Sequence, residues 1–309
     1  MIDNMLNVGT QVLILFVIVA VGFICRKIGI LTQNGIKSIS DLVVYVVTPA
    51  NIIVAFCKDF KTELLIGLGK AFLLAFLVYG AATIVAKFAI RENDENKRSV
   101  LRFAGAYPNA GYMGIPLQRA LLGDIGVFYC AAYIGMFHMY VWTIGVYLLS
   151  GDKKQISLKK LLTSPCIIAI IIGLLLFFLP VEPPTILYSP LQSLASLATP
   201  LPMLVIGYHL AGSDLRKIMG NGWVHAAIAV KMIFSPLLAI VLCLLIKCDH
   251  SMAVSCLIAC SSSSAAMTTM LATKFNRDAE LSAAVVSYTT LLAIIVIPVF
   301  VSIAGALIP

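Results

Sequence analysis

Residues 104–123 read AGAYPNAGYMGIPLQRALLG, and the fold turns on how the backbone of that stretch is satisfied. It is apolar enough for membrane depth, yet Pro108 and Pro116 each remove an amide donor and clash with the preceding turn. Gly105, Gly111 and Gly114 lower the cost of unwinding. Backbone freed inside a bilayer must find partners in protein or in a water-filled cavity. Asn109 stands at the predicted break with a side-chain amide that can donate and accept. A proline-kinked helix carrying small residues for packing is the plainer alternative.

The surrounding chain makes a membrane setting necessary. Of 309 residues, 61% are hydrophobic and 12% charged, with a mean hydropathy of +1.01. Soluble domains carry roughly 45–50% apolar and about 25% charged residues, and a soluble protein of this size has too little interior to hide the excess. A compact soluble enzyme, a secreted disulfide scaffold and a nucleic-acid binder are excluded. The eight cysteines form no C-x-x-C pair. Cys256 and Cys260, one helical turn apart, read as packing residues rather than metal ligands.

Ten segments are long and apolar enough to cross a bilayer: 8–28, 38–57, 63–90, 99–122, 125–149, 161–180, 187–211, 222–246, 252–273 and 279–308. The first has no basic n-region and no clean cleavage site, so it reads as a retained span rather than a signal peptide. Runs such as Cys166 to Leu179 do not alternate as barrel strands do. The fold class is therefore all-α and polytopic. Orientation follows from Lys and Arg. The odd-numbered loops and their flanks hold Arg26, Lys27, Lys37, Lys87, Arg91, Lys97, Arg98, Arg102, Lys153, Lys154, Lys159, Lys160, Arg216, Lys217, Lys274 and Arg277, sixteen in all. The even loops hold four: Lys58, Lys61, Arg119 and Lys247. Odd loops are expected in the cytoplasm and both termini outside, in a multi-pass protein of the cell (plasma or inner) membrane.

Ten spans divide into two fives at the polar segment GDKKQISLKK, residues 151–160. Because five is odd, a second half at 161–309 would enter inverted relative to residues 1–150. Thr48-Pro49 in span 2 answers Thr199-Pro200 in span 7, LLGDIG after span 4 answers KFNRDAE after span 9, and Lys70 answers Lys231. Nearly constant offsets with inverted topology point to an inverted repeat, a design that places substrate near the midplane on discontinuous helices. Span 9 is the expected counterpart of span 4. It carries Ser261 to Ser264, then Thr268 and Thr269, hydroxyls that can bend a helix or line a pocket. Small residues permitting close helix packing are the alternative.

YPNAGYMGIPL resembles the broken fourth helix of the auxin efflux carrier family, which includes plant PIN proteins and bacterial malate and malonate permeases. The resemblance extends over the whole chain: ten spans in two inverted halves, the span 2 proline, and the KFNRDAEL turn after span 9. It implies a crossover of broken spans 4 and 9, a scaffold of spans 1, 2, 6 and 7, and a homodimer formed through that scaffold. It also implies that Asn109 meets a substrate carboxylate, and Pro108, Gly111 and Pro116 at the break are expected with it among the substrate-binding residues. Many members have a proline in span 9 where this chain aligns Ser263 or Thr268.

All fourteen acidic residues fall in loops or near span ends, so coupling through a buried carboxylate is disfavoured. His138 and His209 are the remaining titratable candidates for a proton role, or else hydrogen-bonded packing residues. Lys70 and Lys231 could snorkel to the interface, or Lys231 could attract an anion. The expected function is a secondary active transporter or uniporter moving a small organic anion, a carboxylate by resemblance. Half-helix N-termini with Asn109, Asn51, Ser263, Ser264 and Thr268 would do the binding. A channel or sensor on the same scaffold is the alternative. H-E-x-x-H, G-x-S-x-G and P-loop motifs are missing, so neither an enzyme nor a cofactor is expected.

Overall fold

The computed structural model describes residues 2–179, 183–218 and 220–308, and it is helical throughout. Residue 180, the last of the sixth predicted span, and residue 309 lie outside the described residues. Among the described residues, eight helices are long and apolar enough to cross a membrane: α1 (Leu6–Lys27), α2 (Gln33–Phe56), α3 (Thr62–Ala89), α5 (Asp124–Ser150), α6 (Lys153–Phe178), α7 (Thr185–Ala211), α8 (Gly222–Ile246) and α10 (Ala279–Leu307). Two further segments, in the fourth and ninth places, are each split: α4a (Glu95–Ala106) with α4b (Ile115–Leu122), and α9a (His250–Ser261) with α9b (Met267–Lys274).

Proline accounts for most local irregularity. Three wide turns, Val43–Val47, Ala110–Gly114 and Val230–Phe234, come just before Pro49, Pro116 and Pro236. In each, the residue before the proline donates its N–H five residues back: Thr48 to Val43, Ile115 to Ala110, Ser235 to Val230. A widened turn moves the carbonyl that the ring would strike while keeping the backbone paired.

Packing groups the helices into two neighbourhoods, which meet where α10 lies on α1 and α2 on α5. The second half of α7 lies along α1, and α2 packs on α6 and α7. Gly22 and Gly207 let α1 and α7 meet backbone to backbone: a Cβ on Gly207 would overlap the Val19 carbonyl oxygen, and one on Gly22 the Leu204 carbonyl. Such contacts suit helices associating in lipid, where close van der Waals approach replaces the hydrophobic drive. Elsewhere α3 packs on α5, α9a on α5 and α10, and α8 on α4a and α9a. Buried tyrosines Tyr79, Tyr107 and Tyr133 meet edge to face there, with Tyr79 Oη donating to the Tyr133 carbonyl at 3.3 Å.

Loops of like parity meet. Arg277, after α9b, pairs with Glu95 at 2.9 Å and donates to Asn96 Oδ1 and the Leu149 carbonyl, joining the ends of α9b, α4a and α5. At the other end, Lys70 Nζ reaches the Lys247 carbonyl at 3.1 Å, and His250 Nδ1 lies 3.0 Å from the Ile308 carbonyl. Lys70 thus bonds at the even-loop end of the bundle.

Candidate functional site

The two interruptions meet. Residues 107–109 and 263–265 run antiparallel as a two-stranded fragment centred on Pro108 and Ser264. Asn109 N–H donates to the Ser263 carbonyl at 2.8 Å, and Ala265 N–H to the Tyr107 carbonyl at 2.9 Å. Span 9 is therefore truly broken without a proline. Ser262 ends α9a in an extended conformation, its hydroxyl donating back to the Ile258 carbonyl at 2.8 Å.

Each exchange at this crossover has a cause. Pro108 has no N–H to give the Ala104 carbonyl one turn back, and Ser264 Oγ supplies that bond at 2.8 Å. Ser264 N–H leaves the helical ladder and donates to Thr289 Oγ1 of α10 at 3.0 Å. The Cys260 carbonyl thereby loses its ladder partner and accepts from Lys231 Nζ at 2.6 Å. Lys231, 1% exposed, does not snorkel; its ammonium caps the C-terminal end of α9a, where unpaired carbonyls concentrate negative charge. Thr268 Oγ1 donates to the Ala265 carbonyl at 2.6 Å, tightening the start of α9b.

Beside the crossover lies a pocket with about 460 Å³ of empty space, open solvent included. Asn109 and Tyr112 line it from span 4, Ala266 and Thr269 from span 9, and Val205, Ile206 and His209 from α7. α10 contributes Ala283, Val286, Ser287 and Thr290. His209 stands in the last turn of α7, and Ala283 to Ser287 in the first turns of α10, so the pocket lies on the odd-loop side of the crossover. Asn109 is 7% exposed, and its Nδ2 has no hydrogen-bond partner among the described residues. A buried amide donor without a partner costs about 1–3 kcal/mol. Here it edges a pocket whose other polar groups are hydroxyls and one imidazole. Among the described residues, no carboxylate lines it.

The residues singled out from sequence divide accordingly. Asn109 and His209 share the pocket. Pro108, Ser263, Ser264 and Thr268 build the crossover through backbone and hydroxyl bonds instead of lining it, because broken helix ends must satisfy their own polar groups first. Gly111 has open space where a Cβ would stand, and Pro116 begins α4b. Asn51, 0% exposed, belongs elsewhere: its Oδ1 accepts from Arg119 Nη2 on the even-loop side of the break. His138 is buried away from the pocket, its Nδ1 3.2 Å from Ser164 Oγ. Sequence reading missed Tyr112, Ser287, Thr289 and Thr290, and named Thr269 only as a hydroxyl that could bend span 9 or line a pocket. For the α10 residues a signal existed: hydroxyls at 287 and 290 recur at helical spacing in an otherwise apolar span.

The sequence pattern that describes a membrane transport protein matches in two stretches, residues 7–158 and 153–301. The chain is similar to an uncharacterized transporter of Methanocaldococcus jannaschii, 27% identical over 303 residues that cover 93% of this chain and 95% of the relative. It is also similar to an uncharacterized transporter of Methanothermobacter thermautotrophicus, 23% identical over 94% of this chain and 96% of the other. A candidate malonate transporter of Rhizobium meliloti is 25% identical over 174 residues, 53% of each chain.

Proposed function

The chain belongs to the membrane transport proteins of the auxin efflux carrier family, and from that premise we propose a secondary transporter that moves a small organic anion, a carboxylate, by alternating access. That it is a multi-pass membrane transporter follows from the family and its helices. The substrate, the ten-span inverted-repeat reading (1–150, linker 151–160, 161–309), the orientation and the dimer are our reading. One observation carries the proposal: among the described residues, the Asn109 amide is unpaired at a helix break and faces a pocket without carboxylates. A carboxylate there would receive that donor, with Thr269, Ser287 and Thr290 hydroxyls around it. His209 is the imidazole at the pocket, and Lys231 holds α9a rather than substrate. The odd-loop face is cytoplasmic by the charge bias, which makes this arrangement inward-facing in the cell membrane.

The test is uptake of radiolabelled malonate, malate and acetate into proteoliposomes by counterflow. Asn109→Ala should raise the half-saturating concentration by about 10- to 100-fold, the loss of one hydrogen bond to a charged group. Wild-type kinetics in a folded Asn109→Ala protein remove the amide from the site.

A further inference from the structure

Only four of the twenty-two basic residues belong to the even loops and their flanks, and two of those four converge. Arg119 Nη2 lies 3.0 Å from Asp124 Oδ1, and Lys58 Nζ donates to the Asp124 carbonyl at 3.4 Å. The same Arg119 Nη2 donates to Asn51 Oδ1. Arg119 is in the last turn of α4b, on the crossover, whereas Asn51 is one turn from the end of α2, which packs on α6 and α7. Their bond ties the two helix neighbourhoods together on the face opposite the pocket.

The cluster has more donors than acceptors. Arg119 Nε and Asn51 Nδ2 are both buried and have no hydrogen-bond partner among the described residues. Asn51 is fully buried, so its free amide is shut into this contact. Among the described residues, two cations face one carboxylate. Burial draws the Lys58 ammonium down to about 8, against the opposing pull of Asp124, as expected where counter-charge is short. A guanidinium presents five donors in a planar fork that fits a carboxylate, and Asp124 uses only one arm of it.

We infer that Arg119 and Asn51 form an anion-capture site on the even-loop face, closed in this structure, in which Asp124 holds the place of the incoming carboxylate. The inference rests on the anion reading of the preceding subsection. When α4b separates from α2, Arg119 and Asn51 expose unpaired donors to the even-loop side. An arriving carboxylate then competes with Asp124 for the guanidinium. Closure of the cluster seals that face while the pocket beyond the crossover is open to the other.

The test reads the site without relying on transport. Cys25 and Cys57, the half-buried thiols, are changed to serine, and Ala55→Cys is added. Ala55 is fully buried one turn from Asn51 on the same face of α2. Labelling by an impermeant maleimide is followed from the even-loop side in sodium chloride and in sodium malonate or acetate of equal ionic strength. Labelling of this background should be slow. Arg119→Gln should speed it by about tenfold or more and Arg119→Lys by less, since the lost contacts are charge-assisted. In Asp124→Asn, carboxylate should slow the labelling relative to chloride, and adding Arg119→Gln should abolish that protection. Equal labelling in the background and in Arg119→Gln overturns the closure. Labelling with no carboxylate effect in Asp124→Asn, or an effect that survives Arg119→Gln, overturns the anion site. If malonate, malate and acetate are not transported but the protection pattern holds, the substrate reading fails and the capture site stands.

Discussion

Replacing Thr289 by valine isolates one strut of the crossover. Thr289 Oγ1 accepts Ser264 N–H at 3.0 Å and donates to the Val285 and Val286 carbonyls of its own helix. Valine keeps the branched shape but puts a methyl where the acceptor was. Ser264 is fully buried, so its N–H would have no solvent to turn to. An unsatisfied buried donor costs about 1–3 kcal/mol, and the methyl crowds the amide further, since carbon contacts prefer about 3.5–4.0 Å. The lost carbonyl bonds on α10 matter less, because those carbonyls keep their helical partners. At RT of about 0.59 kcal/mol, local opening at Ser264 should become about 5- to 150-fold more frequent. Hydrogen–deuterium exchange of a peptide spanning 262–266, in detergent or nanodiscs, measures it directly. Thr289→Ser, which keeps the acceptor, should exchange like the wild type. If Thr289→Val exchanges at the wild-type rate and melts at the wild-type temperature, the crossover does not depend on α10.

Two further outcomes concern the frame. With Cys25 and Cys57 changed to serine, Gln155→Cys should react with an impermeant maleimide only when the cytoplasmic face is accessible; reaction from outside intact cells would invert the charge-based orientation. Gly207→Ala should lower the melting temperature or yield little folded protein, because its Cβ would strike the Val19 carbonyl where α1 and α7 touch. Ordinary expression and melting of Gly207→Ala would show that this contact can spread at little cost.

The sequence by itself determined the helical class, because 61% apolar residues in runs of about twenty have only one way to satisfy backbone groups in lipid without alternation. It also pointed to a break in span 4, where two prolines and three glycines fall within twelve residues. The break in span 9 was harder to read. Four serines leave the backbone able to stay helical, and only their meeting with Pro108, Ala104 and Thr289 makes the extended path the better-satisfied one. The roles of polar residues also awaited tertiary structure. Asn51 and Asn109 look alike in sequence, each an amide within two residues of a proline in an apolar span. Both keep an unpaired Nδ2, but Asn109 stands beside a pocket, while Asn51 is held through its Oδ1 by Arg119, sixty-eight positions along the chain. Lys231 could have reached for the interface; the carbonyl that α9a leaves unpaired at its break holds the ammonium inside instead. Periodicity and composition report which groups need partners. Which partner each group finds depends on contacts between distant segments, and those exist only once the helices have packed.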